Sequence, residues 1–246
     1  MALKALIFDF DGTLAETERD GHRVAYNQAF TDLGLSWHWS VEHYGELLAI
    51  AGGKERIAHF VATEDPPRPE GDTSRFAERI HERKAARFEE RAAALPLRPG
   101  VARLVSEAKN AGLKLAVATT AREGGVRAVL SHAPEMLAAF DIIAAGDVVS
   151  RKKPAPDIFT FALGALGVAA NEALAFEDSA LGLAAALAAG VETIVTPSIY
   201  SRNESFSGAR VVLTSLGDPA ERCEALSGSD PPGGLVTVSY LRTLLR

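Results

Sequence analysis

Apolar positions along the chain follow two periods. Residues 3–8 form a short continuous apolar run that ends in Asp-Phe-Asp-Gly, the profile of a buried strand entering a loop. Comparable runs occur at 113–118, 142–145, 173–176 and 192–195. Between them the spacing turns helical: one stretch opens at Arg98-Pro-Gly-Val101 and ends near Gly112, a second covers 156–166 and closes at Gly167, and an alanine-rich third stops at Gly190. Strand and helix repeated in this order predict an α/β fold whose core is a doubly wound, Rossmann-like parallel sheet covered on both faces.

One segment breaks the alternation. From about residue 18 to 96 the pattern is helical and charged, with helix candidates at 22–33, 42–48, 54–61 and 76–94 and a proline-rich acidic loop at 64–72. It reads as a small helical cap, residues 17–96, inserted into a core made of 1–16 and 97–246, with hinges near 15–17 and 95–99. The tail beyond Gly217 is rich in turn residues, and 236–245 is read as a final strand or helix.

Composition narrows the function classes. The 246 residues are 47% hydrophobic, ordinary for a packed globule. No uncharged apolar run reaches the roughly 18 residues of a membrane span, and Asp9 and Asp11 interrupt the first apolar run, which excludes a signal peptide. The single cysteine, Cys223, excludes an internal disulfide framework and a thiolate metal cage. With 26 Lys and Arg against 32 Asp and Glu, the net charge of −6 offers no broad attraction to nucleic acid. The expectation is a monomer with neither a nucleic-acid nor a membrane partner. Beginning at Met1, the chain reads as cytoplasmic, or as stromal if it comes from a plant or alga.

In open parallel sheets the loops beyond the C-terminal strand ends form the ligand crevice. Here those loops carry Asp9 and Asp11, Thr119 and Thr120, Lys152 and Lys153, and Glu177 and Asp178. Any one pair has a bland reading as a turn or helix cap; four together point to a site. If the ligand is a phosphate ester, each residue type has a task. A carboxylate can attack phosphorus, and a divalent cation must then screen the two negative partners. Magnesium prefers oxygen ligands and retained waters, which suits Asp9, Asp178 and a backbone carbonyl, with Glu177 a further candidate. Lys153 would neutralise charge on the transferring group. Thr119, with amides at the next helix start, would grip a phosphoryl oxygen. Asp11 can act as general acid and then base.

These residues resemble a known family. Asp9-Phe-Asp11-Gly-Thr-Leu, the strand ending in Thr119, Lys153-Pro154 and Glu177-Asp178-Ser179 are similar, in order, to the four motifs of the haloacid-dehalogenase-like superfamily. The insertion resembles the helical cap of the beta-phosphoglucomutase and phosphoglycolate-phosphatase branch. Ala15-Glu-Thr-Glu18, Tyr44-Gly-Glu-Leu-Leu48, Gly52-Gly-Lys-Glu-Arg56 and Leu97-Arg-Pro-Gly100 resemble CbbY-type sugar phosphatases. The resemblance implies a magnesium-dependent phosphatase acting on a small phosphorylated sugar, xylulose-1,5-bisphosphate. It implies Asp9 as nucleophile and metal ligand, Asp11 as acid/base whose carbonyl also meets the metal, Asp178 as the remaining ligand, and Thr119 and Lys153 on the transferring phosphate. Substrate contacts are implied for Glu18, Tyr44, Gly53, Lys54, Arg56 and Lys84, and for Thr120 and Ala121. Two departures stand out: Asp20-Gly21 adds a residue relative to the mutases, and Thr120-Ala-Arg-Glu123 replaces a Ser/Asn-rich run.

Simpler readings accompany the cap residues. Lys54 and Arg56 also fit a plain helix start with solvated charges, Lys84 a solvated helix face, and Glu18 a first-turn helix acid. Trp37 and Trp39 read as cap packing; His43, His59, His81 and His132 lack metal spacing and read as surface or packing residues, and Cys223 as structural. A phosphomutase, a phosphoglycolate-type phosphatase and a phosphosugar-binding regulator are the alternatives, the last disfavoured by the intact nucleophile.

Overall fold

The computed structural model describes residues 2–50, 52–69, 71–131 and 134–245, so His132 lies outside it. Its contacts divide the chain into a sheet unit, Met1–Glu16 with Pro96–Arg246, and a helical unit, Thr17–Leu95. The chain enters through β1 (Ala5–Phe8). The helical unit follows with α1 (Arg23–Asp32), α2 (Val41–Leu47), α3 (Gly53–Glu64) and α4 (Thr73–Ala92). The sheet unit resumes with α5 (Val101–Asn110), β2 (Lys114–Ala118), α6 (Glu123–Leu130), α7 (Pro134–Ala139) and β3 (Ile142–Ala144). Next come α8 (Asp157–Leu166), β4 (Ala173–Glu177), α9 (Ala180–Ala188) and β5 (Glu192–Val195). The chain ends with β6 (Val211–Leu213), β7 (Ala225–Ser227) and α10 (Val238–Leu244), so the apolar stretch near the C-terminus is a helix.

Every residue of β1 and β4 is buried, as strands covered on both faces must be. The strand order is β3-β2-β1-β4-β5-β6-β7, and every pairing is parallel except that of β7 with β6. Phe8 lies opposite Val117 on one side and Phe176 on the other, which brings the C-terminal ends of β2, β1 and β4 level. The period-2 alternation splits the side chains by size. Ala5, Ala116, Ala118, Ala144, Ala173 and Ala175, together with the larger Ile7, share one face with Ile158, Phe159 and Ala162 of α8 and Ala185 and Ala186 of α9. Small residues there let the helices sit close. The other face carries larger groups, with Phe8 stacked on Phe176 at 4.5 Å. In α5 the buried residues Val101, Leu104, Val105 and Ala108 recur at helical spacing and form one apolar stripe.

The helical unit begins with a π-helix at Thr17–His22, the wide turn that absorbs one additional residue in a helix. It contains Asp20 and Gly21. Ser40 caps α2 by accepting from the His43 amide at 3.1 Å, and Asp72 caps α4 through the Ser74 amide at 2.8 Å. The interior is aromatic: Trp39 lies 4.8 Å from Tyr26 and 4.9 Å from Phe30, and Trp37 lies 5.2 Å from Phe60. The Asn27 amide fixes the loop before α2, donating to the Trp39 carbonyl at 3.0 Å and accepting from its amide at 2.8 Å. No helix among the described residues is long and apolar enough to cross a membrane.

Candidate active site

Three adjacent strand ends build the site. Asp9 follows β1, its amide donating to the Phe176 carbonyl at 2.9 Å; Glu177 closes β4 and Asp178 follows it; Thr119 follows β2. Lys153 reaches in from the segment before α8, where its bond to Pro154 is cis. Its ammonium lies 2.6 Å from Asp9 Oδ1 and 2.5 Å from Glu177 Oε1. All three side chains are at least nine-tenths buried. The structure therefore brings Asp9, Glu177, Asp178 and Lys153 together.

The electrostatics follow from one cation among three buried carboxylates. Burial pushes Asp9, Glu177 and Asp178 up from their ordinary values, Glu177 to about 7; Lys153 counters this at Asp9 and Glu177, and mutual repulsion adds to it. Burial alone would lower Lys153, but Asp9 and Glu177 reverse that and hold it charged. The surplus negative charge and the all-oxygen donor set, with ligand atoms of Asp9, Glu177 and Asp178 within 4.8 Å of one another, fit a hard divalent cation.

Glu177 is already engaged. One of its oxygens pairs with Lys153, while the other accepts from the Asp178 amide at 3.2 Å and the Ser179 hydroxyl at 3.4 Å. Gly182 on α9 leaves room for this carboxylate, because a Cβ there would strike it. Asp178 packs against Gly12, whose φ of +80° and whose contact with the Asp178 carboxyl both require glycine. The Ser201 hydroxyl donates to Asp178 Oδ2 at 3.2 Å and lies 3.0 Å from the Ser198 hydroxyl. These two serines were absent from the sequence-based set. Applying the strand-end rule to the loop after β5 would have found them.

Thr119 is buried, and its hydroxyl accepts from the Ala121 amide at 3.0 Å, leaving its proton for a ligand. Thr120 is exposed, and the Lys152 ammonium bonds the Gly146 carbonyl. Asp11 sits in the turn after β1, which is closed by the Gly12 amide on the Ala15 carbonyl at 2.8 Å.

In the helical unit most of the remaining candidates share one cluster. Tyr44 donates to Glu18 at 2.5 Å, and Tyr26 donates to the Gly53 carbonyl at 3.3 Å. Lys84 lies over the rings of Tyr26 and Phe88 at 5.2 and 5.5 Å. Arg56 is buried, and its guanidinium faces inward: it donates to the carbonyls of Leu47 at 3.0 Å and Ile50 at 3.2 Å and to the Tyr44 hydroxyl at 3.4 Å. It is no solvated helix-start charge. Lys54 is exposed, 3.4 Å from Glu78. Burial lowers His22 to about 3, its ring tilted against that of Phe88 with centres 4.0 Å apart, so it is neutral near pH 7.

A family model described as haloacid dehalogenase-like hydrolase matches residues 3–190. The chain belongs to the haloacid dehalogenase-like hydrolases. Among members of this family it is 46% identical to protein CbbY of Cupriavidus necator, over 89% of this chain and 88% of that one. It is 31% identical to a phosphorylated carbohydrates phosphatase of Thermotoga maritima, over 89% and 96% of the two chains. A crystal structure of a mutant CbbY from Rhodobacter sphaeroides in complex with xylulose-(1,5)bisphosphate superposes with a TM-score of 0.77, at 45% identity, covering 89% of this chain and 98% of that one. The protein is thus an enzyme, and its relatives agree with a phosphoric monoester hydrolase.

Proposed function

We propose that this protein is a magnesium-dependent phosphatase of sugar bisphosphates that converts xylulose 1,5-bisphosphate to xylulose 5-phosphate. The observation that carries the reading is the 45% identity, across nearly the whole chain, to a protein crystallised with that bisphosphate. The buried carboxylates beside one lysine supply the matching chemistry.

The Asp9 carboxylate attacks phosphorus; a bond from its oxygen to phosphorus forms as the bond to the sugar oxygen breaks. Asp11 gives its proton to that departing oxygen. It then takes a proton from water, which attacks the phosphorus of the aspartyl phosphate and releases inorganic phosphate and free Asp9. Lys153 and the Thr119 hydroxyl hold the phosphoryl oxygens throughout. Asp9, Asp178 and the Asp11 carbonyl would hold the magnesium ion, which when bound offsets the charge of carboxylate and phosphate. Glu177 instead keeps Lys153 in place. In the helical unit Lys54 receives the second phosphate with Lys84 in support, Glu18 accepts from sugar hydroxyls, and Arg56 keeps Tyr44 and the carbonyls around it in order. The far phosphate stays on the product, so the reaction stops at the monophosphate.

The test is phosphate release from xylulose 1,5-bisphosphate with magnesium, with a chelator, and with Asp9→Asn. The expected result is turnover in the first case only, with Asp9→Asn below about a hundredth of wild type. Full activity in chelator, or product isomerised with no phosphate released, would refute the proposal.

A further inference from the structure

Arg98 stands just inside the sheet unit, two residues past the point where the chain returns from the helical unit, and its side chain is only 10% exposed. Burying a guanidinium is costly unless its donors are met. Here they are met by main chain. One terminal nitrogen donates to the Gly12 carbonyl and, at 2.6 Å, to the Thr196 carbonyl, while the other donates to the Pro197 carbonyl at 2.9 Å. The Arg98 amide donates to the Leu14 carbonyl at 2.8 Å, and Glu16 lies 3.4 Å from Nε.

The two loops joined in this way flank the site. Gly12 is the residue after Asp11, in the turn that follows β1; Thr196 and Pro197 follow β5 and lead to Ser198 and Ser201. Strand β4 runs between β1 and β5, so the fork spans the strand end that carries Glu177 and Asp178. A rigid, planar fork that bonds both loops fixes their separation, which the single nitrogen of a lysine cannot do. Near the reacting groups this matters, since small misplacements of a catalytic group cost large factors in rate.

We propose that Arg98 is a positioning residue for the general acid: by tying the Gly12 carbonyl to the loop after β5 it fixes the turn immediately beyond Asp11, and with it the Asp11 carboxyl, in place to protonate the departing oxygen. This rests on the reading of Asp11 as acid/base given above. In the first step the phosphorus–oxygen bond of the ester breaks, and a sugar oxygen must take a proton from Asp11. A p-nitrophenolate leaves as a stable anion and needs none. A displaced Asp11 therefore slows the sugar ester far more than the aryl ester, and kcat/KM reports that step for both.

The experiment measures kcat/KM for xylulose 1,5-bisphosphate and for p-nitrophenyl phosphate, in magnesium, with wild type, Asp11→Asn, Arg98→Lys and Arg98→Gln. Both Arg98 variants are expected to melt as folded proteins and to lose roughly ten- to a hundredfold on the sugar ester but less than about threefold on the aryl ester. Asp11→Asn is expected to show the same selective loss in larger measure. If Asp11→Asn loses equally on both esters, the acid reading fails and the proposal falls with it. If Asp11→Asn is selective while the Arg98 variants lose equally on both esters, keep wild-type values, or fail to fold, the acid reading stands. In each of those cases Arg98 does not position the acid, and the proposal is overturned.

Discussion

Replacing Lys153 by methionine keeps an apolar, unbranched stem but removes the charged end, whose ammonium lies 5.1 Å from the centre of the Phe159 ring. Asp9 and Glu177 then lose their counter-ion at 2.6 and 2.5 Å, with only 10% and 1% of their side chains exposed. Removing one partner of a buried pair costs about 3–5 kcal/mol. Asp9, at the mouth of the strand end, can recruit water, so a loss near the lower end, about 3 kcal/mol, is expected. That is a large part of a typical stability of about 5–15 kcal/mol. Denaturant unfolding in chelator at pH 7, followed by far-ultraviolet circular dichroism, measures it. Adding Glu177→Gln removes one of the stranded charges and should return about 1–2 kcal/mol. Activity should fall roughly a hundred- to a thousandfold in the single variant and stay there in the double one, because stability and transition-state charge are separate debts. A single variant within about 0.5 kcal/mol of wild type, or a double variant with restored turnover, would show that Lys153 is not the cation balancing this site.

Two further outcomes follow. Lys54→Ala should cut kcat/KM for xylulose 1,5-bisphosphate about ten- to a hundredfold while scarcely changing a small monophosphate, and equal losses on both would remove Lys54 from the far-phosphate role. His22 has a folded value of about 3 against an ordinary value near 6.5, so the unfolded chain binds the extra proton between those limits, and stability is present above pH 6.5 and lost as the pH falls. Allowing for its partial exposure, the wild type should lose about 1–2 kcal/mol more than His22→Gln between pH 7 and pH 5 in denaturant titrations; parallel pH profiles would show that the imidazole titrates normally.

The strands carrying the site were legible because burial on both faces turns each into an unbroken apolar run, and because ligands of such sheets gather at the strand ends. Asp9, Thr119, Glu177 and Asp178 follow from that alone. Strands β6 and β7 have three residues each, too few to show a period, and β7 turns antiparallel against the otherwise parallel expectation. Helix α6 begins with Glu123-Gly124-Gly125, and two glycines hide a helix from any propensity argument. Lys153 was visible as a cation near a strand end, but its pairing with two acids depends on a contact between segments far apart in sequence. Arg56 illustrates the same limit. Beside two glycines it suits a solvated helix start, yet its partners lie on α2 and the segment just after it, and only tertiary packing reveals that it is buried.

The aromatic interior of the helical unit also makes that unit optically distinct. Both tryptophans of the chain, Trp37 and Trp39, lie within it, in edge contact with Phe60 and Phe30. Intrinsic tryptophan emission therefore reports on Thr17–Leu95 alone, while the sheet unit, which holds the candidate nucleophile, is silent at that wavelength. A melt followed by emission and one followed by backbone dichroism coincide only when the two units unfold as one cooperative body. Any gap between the curves shows, without a label, that one unit unfolds while the other remains folded.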